Sequence, residues 1–401
     1  MGKAMTATAS LAALVTVGGA ARAADCSDPS RPAISTCINS DTLWPHAGPQ
    51  RFASIGGTET VAKGQVGFGL VTTWQNRPIV LRVATPGQGG SDQYAVDQQV
   101  NGNFLWTYGL TNELALDVAM PVTLYQRGVG LSPLTGGAQL QGTTARDLRF
   151  GVVYALPRPR VDVATQIRGK DAFQAAARFE VSAPTGDRSQ FAGERTAVFV
   201  PTAAVSYRFH GLFAGAEIGA RIRPTTNLVG ARVGAQGVSG LGVGYDILPR
   251  ERLAILAEAR ALFNFAKQAT ATQKDTGIVT TPSDAVSIPA EWSVGVRSAA
   301  LLAGDLSLLV AGGGALPTAT AITTPRFRFT FGVVFAPLGR DSDRDGVLDR
   351  TDRCPDEAQA PGPGPRDGCN HPGGEATAPP RADGPGGVAP PRSVGEESKT
   401  P

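Results

Sequence analysis

The sequence predicts an all-β chain built around an antiparallel transmembrane β-barrel of about twelve strands, with fourteen as the alternative. Three observations predict it. Apolar residues recur at every second position from about residue 64 to residue 336, the connections between these stretches alternate between short and long, and a secretory leader precedes them. Period two is the signature of a strand with two unlike faces. A barrel is the closed form in which such strands can cross a bilayer.

The leader comes first. Lys3 supplies a positive charge, Leu11 to Ala20 is an apolar run, and Ala21-Arg22-Ala23 fits a small-residue cleavage site. Residues 1–23 therefore read as a signal peptide, too short in its apolar part to span a membrane as a helix. Residues 24–62 precede the first strand and are expected either in the periplasm or inside the barrel as a plug. Four cysteines sit in two local groups, Cys26 with Cys37 and Cys354 with Cys369. An exported chain meets an oxidising compartment, and local pairing is the simplest of the three connectivities that four cysteines allow.

The barrel is expected over 63–337. In residues 114–124, Leu114, Leu116, Val118, Met120, Val122 and Leu124 share one face, while Ala115, Asp117, Ala119, Pro121 and Thr123 share the other. Residues 326–335 alternate Phe327, Phe329, Phe331, Val333 and Phe335 with Arg326, Arg328, Thr330 and Gly332. The same reading places strands at 64–73, 98–110, 113–124, 147–156, 172–183 and 197–209. Six more follow at 212–222, 228–246, 252–265, 289–300, 304–315 and 325–336. Residues 77–84 could add a hairpin to the first long connection.

Short links such as His210-Gly211 and Gly304-Asp305 alternate with long ones near 125–146, 184–196 and 266–288. Bacterial barrels place the short turns in the periplasm and the long loops outside. With an even strand count, both ends of the barrel would then be periplasmic. The connection 157–171 is longer than this rule predicts. Trp74, Trp106, Tyr108, Tyr154, Tyr207, Tyr245 and Trp292 fall on the apolar face or at strand ends, where interfacial aromatics belong.

Turning the apolar face to lipid turns the charges inward. The inward acids are Asp117, Asp147, Glu180, Glu217, Glu258 and Glu291; the inward bases are Arg149, Arg178, Arg208, Arg221, Arg232, Arg260, Arg297, Arg326 and Arg328. None of them needs to face lipid, where an Arg at the bilayer midplane costs ~2–4 kcal/mol. These residues either fill a narrow barrel with salt bridges or line water. If the lumen is open, the surplus of bases predicts a mild preference for anions.

Asp341-Ser342-Asp343-Arg344-Asp345-Gly346-Val347-Leu348-Asp349-Arg350-Thr351-Asp352 follows the last strand. Asp341, Asp343, Asp345, Asp349 and Asp352 occupy positions 1, 3, 5, 9 and 12 of an EF-hand-type loop, with Gly at 6 and the Val347 carbonyl at 7. Calcium takes six to eight hard oxygens, and the glycine permits the sharp turn, so calcium is the expected ligand. Position 12 is Asp where an EF-hand uses Glu, and no flanking helices are evident.

The stretch DSDRDGVLDRTDRCPDE, followed by DGCN, resembles a thrombospondin type 3 repeat over residues 341–370. Such repeats link barrel to peptidoglycan-binding domain in outer-membrane proteins of the OmpA type. The segments YGLTNELALDVAMPV and DLRFGVVYAL also resemble such barrels. The resemblance implies a Cys354–Cys369 disulfide and calcium at the aspartates named, within a repeat bounded at 338–370. This chain departs from the pattern after Asn370, where residues 371–401 are rich in Gly, Pro and Ala and cannot build the peptidoglycan-binding domain. They read as a disordered tail, with peptidoglycan or a periplasmic protein as its candidate partner.

Charge and histidine content narrow the function. The net charge of +3, from 37 basic and 34 acidic residues, lacks the basic excess of a nucleic-acid binder. Three histidines, His46, His210 and His371, lie far apart in sequence with no nucleophile pattern beside them, so an enzyme is not expected. The expected function is structural or porin-like: a passive small-solute pore in the outer membrane, with lipid around it and calcium on its repeat. The alternative is a calcium-dependent envelope adhesion or scaffold protein, and an outer-membrane lipid hydrolase ranks last.

Overall fold

In a computed structural model, twelve long strands pair in sequence order and close on themselves. It describes residues 34–83, 91–135, 139–156, 172–248, 252–274, 277–317, 322–338, 353–354, 359 and 367–369. The strands are β1 (Val66–Val83), β2 (Ser91–Gly109), β3 (Leu114–Arg127), β4 (Arg149–Ala155), β5 (Ala172–Ser182) and β6 (Val198–Phe209). They continue as β7 (Leu212–Arg221), β8 (Gln236–Leu248), β9 (Leu253–Asn264), β10 (Ala290–Leu301), β11 (Leu306–Ala315) and β12 (Phe327–Phe335). Each pairs antiparallel with the next, and β12 pairs with β1 in the register Val71↔Gly332. That last ladder leaves the sheet without an edge.

The faces follow the alternation. Along β3, Leu116, Met120 and Leu124 are exposed outside, while Ala115, Asp117, Ala119 and Thr123 are buried inside. This is the reverse of a soluble protein, and it suits a wall with lipid on one side. All seven expected girdle aromatics stand on the outer face. Near one rim Trp74 packs on Phe327 with ring centroids 5.8 Å apart; near the other Phe68 packs on Phe335 at 5.1 Å.

One rim carries the tight turns. His210 (φ 47°) and Gly211 (φ 88°) make a two-residue turn between β6 and β7, with both central residues left-handed as the strand twist favours. The other rim carries the long connections. Here the structure departs from the expected elements. β1 runs on past residue 73, through a register shift between Asn76 and Ile79, so residues 79–83 extend the β1–β2 hairpin above the barrel rather than forming a separate one. Arg77 sits in the left-handed region (φ 53°) at this break.

The expected strand 228–246 begins at Gln236. Thr226–Leu228 and Ala231–Val233 form a separate hairpin turned by Val229 and Gly230, both with positive φ. Arg232 therefore lies in that hairpin, its Nε donating to the Asn227 side chain at 3.2 Å, and not on the barrel wall as expected. Arg326 stands just before β12 and is exposed, so it too is not a lumen residue. Ile79 and Leu81 join Val96, Leu131, Phe191 and Leu228 in an apolar cluster over this rim.

The signal segment 1–23, Cys26, the connection 157–171, the six expected calcium ligands and the tail 371–401 lie outside the described residues. Cys37 is disulfide-bonded. Residues after 339 form a separate unit, in which Cys354 and Cys369 are bonded with Cα atoms 5.0 Å apart.

Candidate functional site

Residues 34–62 run through the barrel from rim to rim. Ile34 bridges to Leu228 and the Ser40 amide donates to the Phe191 carbonyl at the long-connection rim. At the opposite rim the Ala62 amide donates to the Pro337 carbonyl at 3.0 Å. Between these rims the described segment, residues 34–62, is largely buried within the barrel wall. Its described start lies at the rim opposite to that where β1 begins and β12 ends.

Pro45, Gly48, Pro49, Gly56 and Gly57 give this segment no helical or strand pattern. Apart from the Ile38 amide, which donates to the Thr36 carbonyl at 2.7 Å, its backbone groups find few partners among themselves, yet most are buried, so they need partners from the wall. The wall supplies them by sign. Carboxylates accept from plug amides: Glu258 takes Ala53 N at 2.9 Å and Ser54 N at 2.8 Å, and Glu217 takes Gly56 N. Guanidiniums donate to plug carbonyls: Arg149 to Pro45 O at 2.9 Å, Arg221 to Thr42 O at 2.9 Å and Arg260 to Thr42 O at 2.7 Å. Charge-assisted bonds of this kind are the stronger class.

Side chains of the plug complete the network. Asp41 accepts from Arg328 at 2.7 Å, from Asn101 at 2.8 Å and from its own turn at Leu43 N. Arg328 and Arg260 both donate to Glu291, which also accepts from the Thr42 hydroxyl at 3.2 Å. His46 faces a carboxylate from each ring nitrogen, Glu180 from Nδ1 at 3.1 Å and Glu217 from Nε2 at 3.5 Å. Trp44 lies beside two guanidiniums, with Arg221 at 4.3 Å and Arg149 at 5.1 Å from its ring centroid. Phe52 enters a notch that two glycines leave in the wall: a Cβ on Gly215 or Gly242 would come within 2.7 Å of its ring.

Of the expected lumen residues, Arg149, Glu180, Glu217, Arg221, Glu258, Arg260, Glu291 and Arg328 meet the plug directly. Asp117 lies inside, 3.6 Å from Arg178, and Arg297 is buried on β10. Arg208 pairs with Asp246 at 3.4 Å close to the tight-turn rim. Asp147 is not on the wall but in the connection before β4, where it accepts from Gly186 N at 2.8 Å and Glu194 N at 2.7 Å. Burial raises its carboxyl to about 6, against the two amides that lower it and with the Glu194 carboxylate adding to the rise.

Sequence reasoning missed the plug's own polar residues, Asp41, Thr42, Trp44 and His46. Their signal was weak: an acid, an aromatic and a histidine in a segment with no periodicity. It also missed the second network beneath the long connections, in which Arg223 binds Glu194 and, at 2.8 Å, Gln236. His210, the other described histidine, packs edge-on against Phe209 in the tight turn.

No family model and no curated protein matches the chain. Solved structures with a similar fold include the COG4313 outer membrane channel from Pseudomonas putida F1, at 15% identity and TM-score 0.46, over 70% of this chain and 98% of that one. The Pseudomonas putida toluene transporter TodX aligns at 11% identity and TM-score 0.32, over 75% and 96%. Outer membrane phospholipase A from Escherichia coli aligns at 9% identity and TM-score 0.32, over 69% and 95%. What this chain has in common with them is an all-β antiparallel barrel.

Proposed function

We propose that this chain is a passive outer-membrane pore for small solutes, closed in this structure by its own residues 34–62. The observation that carries the reading is the chemistry of the plug's seat. The segment is held by carboxylates, guanidiniums, amides and hydroxyls of the wall, with apolar contacts only in separate patches such as Phe52 against Phe213 and Leu256. A wall of that kind, once vacated, is wetted and conducts. After Asp147, Arg232 and Arg326 are set aside, five acids and seven bases remain on the expected inner face, so the vacated lumen favours anions.

Planar-bilayer recordings test this directly. The full chain should show small, infrequent openings, and a chain lacking residues 34–62 should conduct severalfold more, with the reversal potential shifted toward anions. Equal conductance, or cation preference, would overturn the reading. The calcium loop at 341–352 belongs to the same proposal, supported by five aspartates in ligand register around Gly346. Calcium titration of the intact protein by calorimetry, against a variant with Asp343 and Asp345 changed to Asn, tests it.

A further inference from the structure

His46 is a buried titratable group that the pore reading does not use. It is 4% exposed, and its two ring nitrogens face carboxylates on different strands. Glu180 on β5 stands 3.1 Å from Nδ1, and Glu217 on β7 stands 3.5 Å from Nε2. A neutral imidazole carries one N–H and one lone pair. It can meet one carboxylate favourably but turns its lone pair to the other. Only the imidazolium suits both.

The surrounding charges give the same answer. Asp117 on β3, Arg149 on β4 and Arg178 on β5 join the two glutamates, and all five are at most 5% exposed. Arg149 and Arg178 both act on Glu180, and Arg178 also pairs with Asp117. Arg178, Glu217 and His46 converge on Gly56, where a Cβ would come within 3.5 Å of all three. Three carboxylates against two guanidiniums leave one buried negative charge without a counterion, and a proton on His46 supplies it. Other charges near by are engaged elsewhere. Arg221 on β7 donates to the Thr42 carbonyl, and on β9 Arg260 pairs with Glu291 while Glu258 accepts from Ala53 and Ser54. Within the segment, Arg51 pairs with Glu59 at 3.7 Å.

We propose that His46 is a proton-controlled latch: as the imidazolium it ties residues 34–62 to β5 and β7, and loss of its proton as pH rises releases them and opens the pore. This rests on the pore reading, of which it names the regulation. Deprotonation leaves Glu180 or Glu217 against a lone pair inside the barrel, where little water screens the repulsion. The step is reversible and breaks no covalent bond of the chain.

The full-length protein in detergent is followed by hydrogen exchange of amides 44–56, corrected for intrinsic rates, from about pH 5.5 to about pH 9, which brackets the ordinary histidine value. Planar-bilayer conductance is recorded over the same interval. Asp147 acts on the Gly186 and Glu194 amides, outside this window of residues. Exchange of amides 44–56 should quicken roughly tenfold or more as pH rises, the size expected from losing a bond to a charged group, and conductance should rise with it.

His46→Gln should exchange fast and conduct at both ends of the range, without the slope. Glu180→Gln removes one of the two carboxylates that hold the proton, so its rise should come at lower pH. A merely structural role for Glu180 would not move that midpoint, and this variant serves if His46→Gln does not fold. Flat exchange in the wild type, a slope that survives in His46→Gln, or an unmoved midpoint in Glu180→Gln would overturn the latch. Flat exchange beside high conductance on removal of 34–62 removes the latch alone. Exchange that depends on pH, with no conductance in either chain, removes the pore reading and leaves the release of the segment.

Discussion

Arg328 on the last strand donates to Asp41 in the plug at 2.7 Å and, through Nε, to Glu291 at 2.8 Å. The strand whose ladder with β1 closes the barrel is thus also a strand that holds what fills it. One guanidinium separates two buried carboxylates.

Arg328→Met removes that guanidinium and leaves Asp41 and Glu291 with less compensation. Breaking a buried pair in this way costs ~3–5 kcal/mol. The unfolding midpoint in detergent should fall, and amides of residues 41–58 should exchange faster with solvent. Unchanged protection across the plug would show that Arg328 does not hold it.

Glu258→Gln tests the capping of plug amides. The variant keeps the shape but loses the charge that accepts from Ala53 N, Ser54 N and the Ser54 hydroxyl. A loss of ~1–3 kcal/mol in plug docking is expected. It should be visible as faster proteolysis within 50–58 while the barrel's strand signal in circular dichroism stays as it was.

Gly242→Val tests the notch. The first added carbon alone would stand 2.6 Å from the Phe52 ring and 2.8 Å from Ile55. Overpacking of this kind costs ~1–3 kcal/mol. The plug is softer than the wall, so it should yield first, and the variant should conduct more than wild type in bilayers. Wild-type conductance in a folded Gly242→Val barrel would contradict the seating of Phe52.

Asp147 sets a pH dependence for the long connections. Its carboxyl stands near 6, above the ordinary carboxylate value, because burial outweighs the amides that point at it. The folded state therefore binds the proton more tightly than the unfolded one. Stability is greatest at low pH and declines as pH rises from about 4 through about 6, then levels off. Protection of the Gly186 and Glu194 amides should fall over that interval, after correction for intrinsic exchange rates. Asp147→Asn should remove the slope; a slope that persists in the variant would assign it to another group.

Much of the barrel was legible because its rule is local. A strand with lipid on one side and polar groups on the other writes its period into every second residue, as Leu116, Asp117, Val118, Ala119 and Met120 do. The boundaries failed where that period continued outside the wall. Residues 79–83 and 226–233 alternate too, but they pair above the rim, and Arg232 went with them. The plug was legible only as an alternative. Its order comes from residues far away in the chain, Glu258 for Ala53 and Glu291 for Thr42, and no window of neighbouring residues contains that information.

The seat of the plug bears on the order of assembly. Asp41 and Arg328 are 287 positions apart, so a segment near the start of the chain waits for the last strand before this anchor exists. Until β12 arrives, Asp41 lacks the guanidinium that balances it, although pairs within the wall such as Arg260 with Glu291 need no part of β12. Docking of residues 34–62 is complete only once β12 is in place, and a barrel stalled before that is left both unsealed at its seam and short of one anchor for what fills it.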